Sequence, residues 1–78
     1  MNKELTARVH KQIDALELVR TGLDEIKADL QSDFDDLSEK SQEGAKGEAI
    51  TAEIDALDNA YDSVESAVES CKEATDKD

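Results

Sequence analysis

Apolar residues in the first half of the chain recur as Leu5, Val9, Ile13, Leu16, Val19, Leu23, Ile26, Leu30, Phe34 and Leu37. Nine steps cover 32 residues, about 3.6 residues per step, which returns side chains to one face of an α-helix. The second half carries Ile50, Ile54, Leu57, Tyr61, Val64, Val68 and Cys71, with steps alternating between four and three residues. That is a heptad seam, and it stays against a neighbouring helix when the two wind gently around each other. No proline interrupts either run, and Gly44 and Gly47 stand between them, placed to break the chain. Gly22 lies inside the first stripe, where it costs roughly 1 kcal/mol relative to alanine without ending a helix.

The pattern predicts one helix over about 3–37, a turn over about 38–44 and a second helix over about 45–74, with a frayed C-terminus. Ser38 and either Ser41 or Gly44 are the expected caps. A turn this short returns the second helix antiparallel on the first, so the expected fold is an all-α, two-helix coiled-coil hairpin forming a single domain over 1–78. Seventy-eight residues arranged as two helices bury each stripe on one side only. Dimerisation into a four-helix arrangement is therefore expected. Ala60, Ala67 and Ala74 recur at sevens beside the second seam, and with Leu57, Tyr61, Val64 and Val68 they form the expected self-association surface. Leu18, off the main stripe with Ala15 nearby, hints at a second contact surface.

Charge narrows the functional classes. Twenty-one acidic residues against nine basic ones give a formal net charge of −12. Nucleic acid and anionic lipid bind protein through clusters of Lys and Arg, so neither is expected as a direct ligand. No more than two apolar residues are consecutive, where a membrane span needs roughly 20, and no basic segment leads into an apolar one as in a signal peptide. A cytoplasmic protein is expected.

The charge is also uneven. Residues 1–32 hold six acids and five bases; residues 33–78 hold 15 acids and four bases. In the first helix Glu17, Arg20, Asp24 and Lys27 alternate in sign at three- and four-residue spacing, the pattern of an ordinary solvated face. In the second, Asp55, Asp58, Asp62, Glu65 and Glu69 form a stripe of like charge, and no base occurs between Lys46 and Lys72. Four neighbouring pairs at about 0.2–0.5 kcal/mol each cost on the order of 1–2 kcal/mol. Asp33, Asp35, Asp36, Glu39 and Glu43 carry the acidity round the turn. Such a stripe either keeps a coiled coil soluble or docks on a basic groove of another protein, imitating a nucleic-acid backbone.

Catalytic chemistry has little to work with. Carboxylates abound, but a rod-like hairpin offers no cleft to raise a carboxyl pKa, and no enzyme is expected. A calcium loop starting at Asp33 fails, because Leu37 falls at the fifth position, Ser38 where glycine is needed and Gly44 where the bidentate acid belongs. No cofactor or metal is expected. His10 reads as a surface residue, Cys71 as a small seam hydrophobe able to meet its twin only if two second helices pair at their ends, and Tyr61 and Phe34 as packing residues.

The segment Phe34-Asp35-Asp36-Leu37-Ser38-Glu39, the turn leading into Lys46-Gly47-Glu48, and Glu53-Ile54-Asp55-Ala56-Leu57-Asp58 together resemble a loose group of short acidic helical proteins encoded by bacteriophages and prophages. The resemblance covers roughly residues 34–70 and implies a phage-type inhibitor of a host machine that handles nucleic acid. The leading expectation is thus a non-enzymatic protein-binding module that blocks a basic groove in a host defence complex of the CRISPR or restriction type. Its binding residues would be Asp55, Asp58, Asp62, Glu65 and Glu69, supported by Asp35, Asp36 and Glu39. The alternative is a structural or assembly module whose apolar seam pairs with a partner helix and whose acidity serves solubility.

Overall fold

The computed structural model describes residues 1–76, which form three helices: α1 (Lys3–Asp35), α2 (Glu39–Glu43) and α3 (Ala45–Asp76). The predicted turn is thus itself a single helical turn, and α3 runs two residues beyond the expected end. The remainder of the expected frayed terminus, residues 77–78, lies outside the described residues.

Each boundary has a local cause. Asn2 opens α1: its side-chain oxygen accepts the Leu5 N–H at 2.9 Å and its carbonyl accepts the Thr6 N–H at 2.9 Å. At the other end the Asp36 N–H returns to the Ser32 carbonyl at 3.0 Å. Ser38 then caps α2, its hydroxyl accepting the Ser41 N–H, and Gly44 ends it in an extended conformation. Neither Gly44 nor Gly47 uses a left-handed backbone, since no glycine among the described residues has positive φ. The role of Gly47 is proximity. It is buried, and the position its Cβ would take falls on the backbone of Gln42, so the first turn of α3 lies directly on α2. Gln42 in turn donates its side-chain amide to the Phe34 carbonyl at 3.1 Å, which also accepts the Leu37 N–H at 3.0 Å, and to the Leu37 carbonyl at 3.3 Å, tying α2 to the end of α1. Gly47 and Gln42 together make the bend.

Beyond it, α1 and α3 pack antiparallel along a rod of 58 × 14 × 12 Å. The register brings two cross-helix ion pairs together, Lys27 with Asp58 and Arg20 with Glu65. The α3 seam faces α1 at its predicted positions, where Val68 is 1% exposed and its neighbours along the seam are half-buried. The α1 seam departs from its prediction. Val9, Ile13, Leu16, Arg20, Leu23, Lys27, Leu30 and Phe34 face α3, spaced four and three like their partners. Val19 and Ile26, assigned to the core by the 3.6 period, are instead each 49% exposed. A straight 3.6 stripe drifts about 20° per heptad against a 3.5 seam, so α1 keeps register with α3 only by adopting the same heptad. That choice places two long cations at inward positions. Their stems cover apolar surface while their heads reach the edge.

Ile13 and Val68 are the two buried hydrophobic residues among those described. The interior is therefore a line of contact rather than a volume, as expected for two helices meeting along one seam.

Candidate protein-binding surface

The acidic stripe of α3 consists of two rows repeating every seven residues. Asp58 and Glu65 flank the seam, and Asp55, Asp62 and Glu69, continued by Glu48 and Asp76, lie one position further round. The structure separates their roles. Lys27 crosses from α1 to form a hydrogen-bonded ion pair with Asp58 and also approaches Asp24 at 3.5 Å. Arg20 approaches Glu65 at 3.7 Å. Between them stands the Tyr61 ring, with Arg20 Cζ 5.8 Å and Lys27 Nζ 5.0 Å from its centroid, both at cation–π distance. The inner row thus belongs to the joint between α1 and α3.

This corrects the solvated face expected for Glu17, Arg20, Asp24 and Lys27. The Asp24–Lys27 pair within α1 exists, but both cations turn inward because the heptad puts them on the seam, where two carboxylates of α3 stand waiting. Apolar periodicity alone does not single out Arg20 and Lys27 as structural residues. The spacing 9, 13, 16, 20, 23, 27, 30, 34 carried the signal, masked by the apolar Val19 and Ile26 beside them.

The outer row differs in its partners rather than in its exposure, since Asp58 and Glu65 are exposed as well. Asp55, Asp62 and Glu69 are exposed, and none has an ion pair among the described residues. At 1.5 Å per residue they stand roughly 10 Å apart along one side of α3. At the tip, Asp35, Asp36 and Glu39 are also exposed; Asp35 accepts the Gln31 side-chain amide at 3.1 Å, and Glu39 sits in the first turn of α2, where an anion suits the helix N-terminus. Among the described residues no group of three His, Cys, Asp or Glu side chains converges as a metal site. His10 is exposed, and Cys71 is a free, half-buried thiol on the seam.

Of the residues expected to mediate self-association, Leu57, Tyr61, Val64 and Val68 face α1 within the hairpin. Ala60 and Ala67 are half-buried at its edge and Ala74 is exposed. Among the described residues no helix is long and apolar enough to cross a membrane.

The Lys27 pair gives a pH prediction. The hydrogen bond to Asp58, reinforced by the charges of Asp58 and Asp24, raises the Lys27 pKa above the ordinary lysine value of 10.5. A raised folded-state pKa contributes stability that is complete below the unfolded value and is lost as pH rises through the folded one. The difference in melting temperature between the native chain and Lys27→Met should therefore hold constant from neutral pH to about pH 10 and shrink beyond 10.5. Thermal unfolding followed by circular dichroism at stepped pH measures it. A difference that shrinks on the acid side of neutrality while Asp58 is still ionised would contradict the assignment.

No protein-family model matches the chain, and comparison with curated proteins and with solved structures returned no match.

Proposed function

We propose that the chain is a non-enzymatic protein-binding module that presents the outer acidic row of α3 to a basic groove of another protein. The observation carrying this reading is the exposure of Asp55, Asp62 and Glu69 in a line on one rigid helix, without intramolecular counter-charge, while the inner acids are consumed by Lys27 and Arg20. Seven residues apart, the three carboxylates are not helix-surface neighbours of one another, and with no cation of the hairpin paired to them they are open to an external one. A groove that normally holds a nucleic-acid backbone has the matching charge and an elongated shape. As the specific case we propose an inhibitor of a host defence complex, a reading that rests on the sequence pattern of residues 34–70 alone.

The discriminating variant is the triple change Asp55→Lys, Asp62→Lys and Glu69→Lys, which leaves both cross-helix ion pairs in place. Immobilised native protein should retain a DNA- or RNA-handling complex from a bacterial lysate at low ionic strength and release it as salt rises. The triple variant, with unchanged helix content, should bind that complex at least roughly tenfold more weakly. Equal retention by both chains, or retention that strengthens with salt, would overturn the reading.

A second reading, an assembly module, is favoured by one specific observation: Leu18 is 74% exposed, and Val19 and Ile26 stand beside it on α1. Apolar association would persist or strengthen with salt.

A further inference from the structure

The exposed apolar residues of α1 lie on a face whose surrounding charges are arranged symmetrically. With α1 in the heptad register of its seam, two adjacent rows lie away from α3's acidic edge. One row runs Arg8, Ala15, Gly22, Asp29 and the other Glu4, Lys11, Leu18, Glu25, Ser32. In both, a base (Arg8, Lys11) precedes the small or apolar middle and an acid (Asp29, Glu25) follows it. Both are centred on residues 18–19. Turned end for end about that centre, the face is complementary to itself: Arg8 meets Asp29, Lys11 meets Glu25, and Ala15 meets Gly22.

Gly22 is an independent observation pointing the same way. A Cβ placed there would have nothing within 4 Å, so the hairpin itself gives no reason for a glycine in the middle of a long helix. Close approach of another backbone does. Nor do Arg8, Lys11, Glu25 and Asp29 form ion pairs within the hairpin among the described residues.

We propose that this face of α1 is an isologous interface with α1 of a second copy, the two helices antiparallel about a two-fold axis beside Leu18 and Val19. Heptad geometry puts the half-buried Ala60 and Ala67 of α3 on the same side of the hairpin, next to Val19 and Ile26. It puts the acidic row of Asp55, Asp62 and Glu69 on the opposite side. The dimer thus leaves that row open, and the inference stands whether or not the row binds a groove.

Sedimentation of the native chain at micromolar concentration should show a species of about 17 kDa, twice the 8.5 kDa monomer. Two double variants, Arg8→Glu with Lys11→Glu and Glu25→Lys with Asp29→Lys, should each weaken dimerisation roughly tenfold or more, and their equimolar mixture should restore it as a heterodimer. The first variant raises the net negative charge and the second lowers it, so a shared loss with mutual rescue cannot come from net charge. Gly22→Gln introduces a better helix former into open space, so it should keep full helix content while sedimenting as a monomer. A native chain that sediments at 8.5 kDa, a dimer indifferent to both double variants, or a mixture that fails to associate would overturn the proposal.

Discussion

Gly47→Ala should open the tip of the hairpin and lower the thermal midpoint by roughly 10–20 °C. The added Cβ would meet the Gln42 carbonyl oxygen, with the carbonyl carbon at 2.5 Å and Cα at 2.7 Å. All three are backbone atoms, so no rotamer change relieves the clash, and either α2 or the first turn of α3 must shift. A shift of α2 withdraws the Gln42 amide from the Phe34 and Leu37 carbonyls and loosens its tie to the end of α1. Alanine's better helix propensity returns at most about 1 kcal/mol, against a steric and hydrogen-bonding loss of order 3–4 kcal/mol. The net loss of about 2–3 kcal/mol corresponds to the stated shift for a chain of this size. Circular dichroism melts of Gly47→Ala and of Gly47→Ala with Gln42→Ala test the cause. The double variant should be no more stable than the single one, because truncating the side chain leaves the obstructing backbone in place. A melt unchanged from the native one would show that the bend does not depend on this approach.

Val68→Ala should be the most damaging truncation along the seam. Val68 is 1% exposed, and the ion-pair register puts it opposite Ile13 and Leu16 of α1. Losing two methyl groups forfeits about 1.6 kcal/mol of transfer free energy, and incomplete collapse around the gap brings the total to roughly 2–3 kcal/mol. Domains hold only about 0.05–0.15 kcal/mol per residue, so this is a large fraction of what a single-seam hairpin possesses. Val64→Ala, at a half-buried position one turn away, should cost about half as much. Urea titrations of the two variants at one protein concentration compare them directly. Equal losses would mean that burial is spread evenly along the rod rather than concentrated at Val68.

Both predictions concern features of unequal visibility in the sequence. The α3 seam was legible because its 4-3 rhythm is carried wholly by apolar residues and small Cys71, with no apolar residue larger than the alanines Ala60, Ala67 and Ala74 recurring beside it. The bend was legible in place through Gly44 and Gly47, but its mechanism was not. Whether a glycine serves a turn angle or a close contact depends on what lies beside it, and Gln42 comes beside Gly47 only once α2 has formed. The α1 seam was half legible. Counting apolar residues favours Val19 and Ile26, since hydrophobicity alone ranks them above Arg20 and Lys27. What reverses the ranking is α3: it supplies Asp58, Glu65 and the Tyr61 ring at the heights where the two cations arrive. The acidic stripe was visible as composition and spacing, yet its division into a row tied to α1 and a row open to solvent needed the register between the helices.

The linear order of residues by itself determined the two long helices, their break, the antiparallel return and the displacement of negative charge toward the second half, because each follows from periodicity, local propensity and count. Only the tertiary structure decided which face of α1 is inside. That decision rests on a relation between two segments some thirty residues apart: α3 imposes its heptad on α1, buries two cations' stems in place of two aliphatic side chains, and turns Val19 and Ile26 outward beside Leu18. The acids that remain available and the apolar face that remains exposed are both consequences of that one choice of register.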